Sequence, residues 1–263
     1  MRRTVTSKDN DTVRLWGKIS SQKKYRAEYG LFPLEGARII TDAVKENAKI
    51  KFLIAARSSE KKFAELISRA EKSNADVIIV PDSLADLLAL TKGTQGIFAA
   101  CGLPEEIPLG KFIAPKKKYA VLHSLQDPGN MGTIIRTADA MGVDGVIAVN
   151  CCDIFSPKTV RSTMGSLFRI KFASADEDEI FSVFRENNIK MYAAVVGEKA
   201  VSLTDCVFPE GAAVFIGNEG NGLSSETADR CDEKLTIRMN GSVESLNAAT
   251  AASIIMWELT KQR

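Results

Sequence analysis

Several residue types that build common active sites are scarce in this chain of 263 residues. His123 is the single histidine, so a metal site made of several histidines is excluded and a Ser-His-Asp triad would have to use this one residue. The five cysteines form no CxxC pair, the spacing typical of zinc and redox sites. We therefore expect no bound metal, and thiols that stay reduced in a reducing compartment.

Long apolar runs and a strong charge imbalance are also missing. No segment reaches the roughly 20 apolar residues of a membrane-spanning helix, and the N-terminus lacks the apolar core of a signal peptide. We expect a cytoplasmic protein. The formal net charge is +2, so any nucleic-acid site has to use local basic clusters. Three such clusters exist, and each is equally typical of a solvated surface: Arg2-Arg3, Lys23-Lys24-Tyr25-Arg26 and Lys116-Lys117-Lys118.

Helix and strand patterns alternate through the first half of the chain, which predicts a small α/β/α domain. Residues 1–12 are polar and are expected to be frayed. A stretch with three prolines and a lysine triplet then changes the composition and is interpreted as a linker. The predicted division is 1–102, linker 103–118 and 119–263. The predicted elements of the first half are helices at 37–47, 61–72 and 84–88 and strands at 50–56, 77–80 and 97–101.

The second half begins with a βαβ pattern, which requires a parallel sheet with a right-handed crossover. A strand at 119–125 is followed by a polar loop, a helix at 131–141 and a strand at 145–149. The alternation continues to the C-terminus, where a helix rich in small residues starts at about residue 247. The other predicted elements are strands at 168–172, 191–196, 212–216 and 235–239 and a helix at 178–187.

Three polar loops of the second half carry the candidate chemistry. In the first loop, Asn130 precedes a predicted helix and Arg136 follows nearly two turns later. Asn130 could cap the helix, and Arg136 could form a surface ion pair with Asp139. Alternatively, the helix start and the guanidinium could face a phosphate or a ribose, because both suit anions.

The second loop, Gly217-Asn218-Glu219-Gly220-Asn221-Gly222, follows an apolar strand. Its G-x-x-G-x-G spacing differs from a dinucleotide fingerprint, and no Lys-Ser/Thr pair follows as in a P-loop. We interpret the glycines as places where backbone approaches a ligand or another chain segment closely. Asn218 and Glu219 would then project into a crevice at the end of the strand.

The third loop, from Asn240 to Asn247, precedes the final helix. Either Ser245 or Asn247 could cap that helix. Ala248, Ala249, Ala251 and Ala252 leave one side of the helix thin, which indicates close packing.

Together, in this order and at these spacings, the three loops resemble the SpoU (TrmH) family of RNA ribose 2′-O-methyltransferases. The first family motif, an Asn-x-Gly leading to a helical Arg, is matched by Asn130, Gly132 and Arg136. The other two motifs are a Gly-Asn-Glu-x-x-Gly-Leu loop and a Ser-Leu-Asn before small residues. They are matched by Gly217, Asn218, Glu219, Gly222, Leu223, Ser245, Leu246 and Asn247. One departure is Arg238, which stands where the family commonly has proline.

The resemblance implies S-adenosylmethionine-dependent methylation of a ribose 2′-hydroxyl in structured RNA. It also implies a mostly parallel α/β domain whose C-terminal segment is threaded as a deep trefoil knot. The alternatives are methylation of a base or of another nucleotide-like substrate, and a non-catalytic RNA-binding protein that keeps the fold.

The resemblance also implies a role for each matched residue. Arg136 is implied to act on the 2′-hydroxyl, and Glu219 could alternatively be a carboxylate that orients Arg136. The implied catalytic and pocket-shaping residues are Arg136, Asn130, Glu219, Ser245 and Asn247. The implied cofactor-binding residues are Gly217, Asn218, Gly222, Ile237, Met239, Ser245 and Leu246.

The first half resembles the L30e-like substrate-binding domain that often accompanies this catalytic domain. The similarity covers the basic stretch and the segment Gly30-Leu31-Phe32 through Glu35-Gly36. It implies RNA contacts by Lys23, Lys24 and Arg26, in addition to Arg136, and it favours 23S ribosomal RNA over transfer RNA. The family usually forms homodimers through the knot helices, so we expect a homodimer.

Overall fold

The structure is a computed structural model that describes residues 2–197, 199–239, 241 and 245–261. By its contacts the chain forms two units. The first comprises Met1–Glu105 and Asp153–Arg169, and the second comprises Glu106–Cys152 and Ile170–Arg263. The division at residue 105 falls inside the expected linker. Segment 153–169, which the sequence analysis assigned to the second domain, instead packs with the first unit.

Secondary structure alternates along the whole described chain. Up to residue 102 the elements are β1 (Arg2–Thr4), α1 (Asp11–Ser21), α2 (Lys23–Tyr29), β2 (Leu31–Glu35), α3 (Ala37–Lys45), β3 (Ile50–Ala56), α4 (Arg57–Glu60), α5 (Ala64–Lys72), β4 (Asp76–Val80), α6 (Asp82–Leu88) and β5 (Ile97–Gly102). They are followed by α7 (Leu109–Phe112), β6 (Lys118–His123), α8 (Pro128–Met141), β7 (Gly145–Val149), α9 (Pro157–Ser162), β8 (Phe172–Ser174), α10 (Glu177–Glu186), β9 (Lys190–Ala194), β10 (Val201–Ser202), β11 (Ala212–Ile216), α11 (Ser225–Arg230), β12 (Glu233–Thr236) and α12 (Ala248–Thr260). Two 3₁₀ helices lie at Ser166–Phe168 and Leu203–Asp205.

The first unit is built on a five-stranded sheet in the order β1-β4-β3-β5-β2. Strands β1, β4 and β3 are parallel, whereas β5 runs antiparallel to both β3 and β2. Apolar clusters cover the sheet, and Trp16, Ile40 and Ile67 are among their fully buried members. This is the α/β/α layering that the sequence predicts.

The expectation of a frayed N-terminus is wrong. Arg2–Thr4 add an edge strand to β4, in register with Val77–Ile79. The Arg2 guanidinium also bonds Glu71 at 2.9 Å and Glu60 at 3.1 Å. Backbone pairing and these ion pairs hold a polar segment that has little apolar surface of its own to bury.

Segment 153–169 contributes apolar and charged groups to the first unit. The ring centroids of Phe155 and Phe168 lie 5.0 and 6.3 Å from that of Phe32, and Val160 joins the same buried cluster. This explains why the predicted strand at 168–172 is wrong. Phe168 ends a 3₁₀ helix that packs in the first unit, and β8 begins only at Phe172.

Arg26 is buried within this arrangement and does not face solvent. Its guanidinium donates to Asp153 Oδ2 at 2.9 and 2.5 Å and to the Ile19 carbonyl at 2.5 Å, and 7% of its side chain is exposed. A buried guanidinium requires such partners, since desolvating an unpaired charge is very costly. The expected contact of Arg26 with RNA is therefore corrected: Arg26 joins α2 to α1 and to Asp153.

The second unit is built on a seven-stranded sheet in the order β10-β12-β9-β11-β6-β7-β8, in which every pair is parallel. The central strand β11 is buried throughout and is apolar over its whole length, and β6 is apolar between Lys118 and His123, as is typical of parallel strands covered on both faces. The predicted strand at 235–239 is displaced, because β12 pairs with β9 only over Glu233–Leu235. All strands end at one edge, where ligands of parallel α/β sheets bind.

Two helices cross the second unit near that edge. Helix α8 starts at Pro128, where its missing N–H is harmless, and Asp127 caps it by accepting from the Asn130 N–H. Of the two alternatives for Asn130, the one in which it caps this helix is therefore excluded. Helix α12 packs along α8, and the hydroxyls of Thr137 and Ser253 meet at 3.3 Å. Within the described ranges, the structure contains no helix long and apolar enough to cross a bilayer.

Candidate active site

A hydrogen-bonded network joins the three polar loops at the carboxyl edge of the second unit's sheet. Asn130 donates its side-chain amide to Glu219 Oε1 at 2.9 Å and accepts from Asn247 Nδ2 at 3.1 Å. Its two amide functions therefore bridge the loop after β11 and the start of α12. Residues that lie 89 and 117 positions apart in the chain are brought into direct contact.

Glu219 accepts further bonds from the backbone N–H groups of Gln126, at 3.3 Å, and Asp127, at 3.1 Å. Its partial burial alone would raise the pKa of Glu219, but the bonds from Asn130 and from these backbone groups hold that pKa below its ordinary value. Glu219 is therefore ionised at neutral pH. Its contribution to stability is present above its unfolded-state pKa and is lost as the pH falls through the lower folded-state pKa.

Asn247 has two roles at once. Its Oδ1 caps α12 by accepting from the N–H groups of Ala249 and Thr250 at 2.9 and 3.2 Å, while its Nδ2 donates to Asn130. Of the two alternative caps for this helix, Asn247 is the one observed. The capping interpretation of Asn247 is confirmed, and the same side chain also belongs to the network.

The loop after β11 is folded tightly on itself. Asn218 and Gly222 exchange backbone hydrogen bonds at 3.2 Å, and Asn218 Oδ1 accepts from the N–H groups of Gly220 and Asn221 at 2.9 and 2.7 Å. Gly222 has φ +66°, which favours glycine. A Cβ on Gly217 would lie 2.0 Å from the Gly222 carbonyl carbon. The predicted close approach of backbone to backbone is therefore present at Gly217.

Beside this loop lies a cavity of about 640 Å³. Its volume is in the range of small-molecule sites, which is roughly 300–1,000 Å³. All seven residues expected to bind a cofactor line it, and they are Gly217, Asn218, Gly222, Ile237, Met239, Ser245 and Leu246. Glu219 also lines the cavity, whereas Asn130 and Asn247 support its rim through the network. Asn240 and Ser242–Glu244, which belong to the third loop, lie outside the described residues.

Sequence reasoning missed part of the cavity wall. Residues 194–197, at the end of β9, and Ala248, Ala251 and Ile255 of α12 also line it. A signal for the first group was present, because Gly197 follows an apolar strand just as Gly217 does. Of the four alanines that predict close packing of this helix, Ala248 and Ala251 line the cavity, whereas Ala249 and Ala252 do not.

Arg136 lies on the exposed face of α8, six residues beyond Asn130. Within the described part of the chain it has no ion-pair partner, and Glu219 bonds Asn130 instead of orienting Arg136. The guanidinium is thus available to an anion from outside the chain. Among the described residues, no three His, Cys, Asp or Glu side chains are grouped to hold a metal ion.

Comparison with known proteins identifies the family. The model of the SpoU rRNA Methylase family matches residues 117–257, and that of the MRM3-like substrate binding domain matches residues 10–99. A similar protein is the 23S rRNA (guanosine(2553)-2′-O)-methyltransferase RlmP of Bacillus subtilis, with 29% identity over 97% of this chain and 98% of the relative. Another is the 23S rRNA (uridine(2479)-2′-O)-methyltransferase of Streptomyces viridochromogenes, with 29% identity over 99% of this chain and 93% of the relative.

Solved structures extend this similarity to the fold. The AdoMet-bound rRNA methyltransferase from Sinorhizobium meliloti superposes with a TM-score of 0.90 at 29% identity, covering 99% of this chain and 98% of that one. The SpoU methyltransferase AviRb from Streptomyces viridochromogenes, in complex with AdoMet, superposes with a TM-score of 0.84 at 25% identity, covering 96% of this chain and 98% of that one.

The chain belongs to the SpoU rRNA methylase family. The resemblance drawn from the three loops is confirmed, and so is the pairing with an N-terminal substrate-binding domain. The fold class is confirmed as well: an α/β substrate-binding unit precedes the parallel α/β unit of the knotted methyltransferases.

The residues of the cavity fit S-adenosylmethionine. The lining of the cavity includes apolar side chains that suit an adenine ring, among them Leu235 and Ile255, and the small residues Ala248 and Ala251. It also includes Asn218 and Ser245, whose polar groups suit the hydrogen bonds that a ribose or an amino acid requires. The ionised Glu219 suits a nearby positive charge such as a sulfonium.

We predict that Gly217→Ala disrupts this cavity. The added methyl would overlap backbone atoms of Gly222 and Leu223 at 2.0–2.3 Å, so the loop must move. We expect a loss of about 2 kcal/mol of unfolding free energy or more, measured by urea denaturation, together with loss of S-adenosylmethionine binding in calorimetry. Gly220→Ala is the matched control, because its Cβ would meet only Asn218 Oδ1 at 3.7 Å. Equal behaviour of the two variants would contradict the prediction.

Proposed function

We propose that this protein transfers a methyl group from S-adenosylmethionine to a ribose 2′-hydroxyl of 23S ribosomal RNA. The observation that carries the proposal is the bonded set Asn130, Glu219 and Asn247, which unites the three family motifs at the rim of a cofactor-sized cavity. The 23S rRNA activity stated for the relatives that match almost the whole chain supports the substrate. We place the protein in the cytoplasm, together with that substrate.

Different residues of the site have different roles in the proposed reaction. When bound, S-adenosylmethionine would supply an electrophilic methyl group on a positively charged sulfur; breaking that carbon–sulfur bond would leave S-adenosylhomocysteine, and the 2′-hydroxyl proton would pass to solvent. Backbone groups around Gly217, Ile237 and Leu246 hold the cofactor in the cavity. Asn130 and Asn247 keep Glu219 and the start of α12 in fixed positions, so that the ribose hydroxyl meets a preformed site.

Arg136 acts on the RNA side. A guanidinium keeps its proton in proteins, so Arg136 does not serve as the general base. It binds an RNA phosphate and stabilises the negative charge that develops on the 2′-oxygen, since both are anions that suit its planar fork. Its exposure on α8, without an ion-pair partner among the described residues, supports this role.

The proposal predicts methylation of 23S rRNA by the purified protein and a loss of activity in Arg136→Ala. We expect the variant's kcat to fall by about 10²-fold or more, while its affinity for S-adenosylmethionine is unchanged, because Arg136 does not line the cavity. The assay measures radiolabelled methyl incorporation, and mass spectrometry of nuclease digests locates the modified atom.

Arg185→Ala, which removes an exposed arginine from α10, is the control and should retain full activity. Unchanged turnover in Arg136→Ala would overturn the role of Arg136. A methyl group on a base would overturn the 2′-O assignment, and labelling of transfer RNA alone would overturn the ribosomal substrate. Cofactor binding without methylation of any RNA would indicate a non-catalytic RNA-binding protein.

The first unit carries the proposed RNA-docking surface. Lys23 and Lys24 are exposed on α2, and Lys24 Nζ lies 4.8 Å from the ring centroid of Tyr25. Lys18 of α1 adds a third ammonium, 5.7 Å from the ring of Tyr29, which is 41% exposed. Lysines beside tyrosine rings suit RNA, since phosphates attract the ammonium groups and unpaired bases stack on aromatic rings.

We predict that the double variant Lys23→Ala/Lys24→Ala binds 23S rRNA fragments more weakly at low salt. Each phosphate contact contributes roughly 0.7–0.9 to the slope of log Kd against the logarithm of the salt concentration. Removing two contacts should therefore lower that slope by about 1–2. Filter binding across a salt series measures both quantities. The control is Lys45→Ala/Lys72→Ala, two exposed lysines on α3 and α5. Identical salt slopes for both double variants would exclude α2 as the docking surface.

We also propose a homodimer that uses α12. Trp257 and Ile254 are large apolar side chains that are 55% and 37% exposed on this helix, and exposed apolar groups of this kind mark interaction surfaces when they lie together. We predict that Trp257→Glu converts a dimer into a monomer in analytical ultracentrifugation, because a charge would be buried in the interface. Leu87→Glu, at an exposed leucine of the first unit, should leave the dimer intact. A wild-type protein that sediments as a monomer would overturn this proposal.

A further inference from the structure

Helix α11 stands between two hollows of the second unit. Ser225 and Ala228 of this helix line the cofactor cavity. Thr227 and Arg230, on its other side, line a second, polar hollow of about 700 Å³. Both pairs have the i, i+3 spacing that places residues on one face of a helix. Helix α11 is therefore a wall shared by the two hollows.

Glu177, the first residue of α10, bonds two side chains of α11 on the side away from the cofactor cavity. Its Oε2 accepts from the Thr227 hydroxyl at 3.0 Å and lies 2.7 Å from His123 Nε2. Its Oε1 accepts from Arg230 Nη1 at 2.9 Å. One carboxylate thus links the start of α10, the end of β6 and the Thr227 and Arg230 side chains of α11.

The groups around Glu177 are held in turn by other contacts. The Arg230 guanidinium lies 4.1 Å from the Phe181 ring centroid and also bonds Asp178 at 2.7 Å. The side chains of His123 and Glu177 are 16% and 20% exposed, so the contact between them is largely shielded from water, whereas Arg230 is 31% exposed and Asp178 is 91% exposed. The bond between Arg230 and Glu177 is charge-assisted, and such bonds are stronger than neutral ones, which makes this linkage stiff.

We propose that Glu177 is a positioning residue for the cofactor cavity, acting through α11. The inference rests on the proposed function, because it concerns affinity for S-adenosylmethionine. Helix α11 has only six residues, and it continues directly from the loop that carries Gly217 and Gly222. So short a helix has little stability of its own, and its tertiary bonds decide where it lies. Without Glu177, the wall formed by Ser225 and Ala228 is free to shift, and the cavity loses its shape.

The test measures binding of S-adenosylhomocysteine and S-adenosylmethionine by isothermal titration calorimetry. We expect Glu177→Gln to raise the Kd of both ligands about tenfold, since the charge-assisted bond to Arg230 is lost. Thr227→Val, which removes a single hydroxyl, should raise the Kd about threefold, and Thr227→Ser should restore wild-type affinity. Glu179→Gln is the matched control, as this exposed carboxylate lies on the same helical turn and bonds no α11 side chain within the described ranges.

Kinetics separate positioning from a general loss of structure. In Glu177→Gln the KM for S-adenosylmethionine should rise about tenfold, while kcat at saturating cofactor stays within about twofold of wild type. An unfolded or partly unfolded variant would lose kcat instead. If circular dichroism shows that Glu177→Gln does not fold, the same Kd and KM measurements are made on Thr227→Val and Thr227→Ser. Weaker cofactor binding in Thr227→Val alone then supports the inference, and equal binding in both overturns it.

The inference would be overturned if Glu177→Gln bound both ligands with wild-type affinity, or if Glu177→Gln and Glu179→Gln lost the same amount of affinity. Either result would leave the proposed function standing. A wild-type protein that binds neither ligand would overturn the proposed function and this inference with it.

Discussion

The site depends on the two hydrogen bonds that the side chain of Asn130 makes. This side chain donates to Glu219 and accepts from Asn247, so it needs an N–H and an oxygen on one short, planar group. Aspartate would lack the donor, and leucine would lack both functions. Because Glu219 and Asn247 each belong to a different segment, the positions of the loop after β11 and of α12 are set by this amide.

The network also places a fixed negative charge at the cavity. Glu219 stays ionised because its oxygens accept from Asn130, Asp127 and Gln126, and these donors offset the effect of burial on its pKa. The same donors hold the carboxylate in place, so the charge does not have to be reorganised when a ligand enters. Preorganised charge of this kind is what distinguishes an active site from an ordinary polar surface.

Much of this architecture could be predicted from local sequence patterns. The βαβ start of the second half, the buried strand at Ala212–Ile216 and the cap at Asn247 follow from apolar periodicity and from capping chemistry. The family resemblance supplied every predicted cavity-lining residue, because a family pattern retains information about contacts that are distant in sequence.

Three of the errors share one physical cause, which is long-range packing that local patterns do not encode. Arg2–Thr4 form a strand only because β4 offers an open edge, and Phe168 lies outside a strand because it packs, partly buried, against the Phe32 cluster. Arg26 looked like one member of a basic surface cluster, yet Asp153, 127 residues away, draws it into the interior. Similarly, nothing near His123 in the sequence indicates that its ring meets Glu177.

The return of segment 153–169 to the first unit has a consequence for synthesis. The first unit lacks Phe155, Val160 and the partner of Arg26 until the ribosome has passed residue 169. By then β6, α8 and β7 of the second unit have already been made. In many proteins the N-terminal domain completes its folding before synthesis of the next domain starts. The first unit of this chain cannot follow that order, because part of its core is synthesised later. For the same reason a single cut near residue 105 would leave both fragments incomplete, one with an unfilled core and the other with its apolar complement exposed.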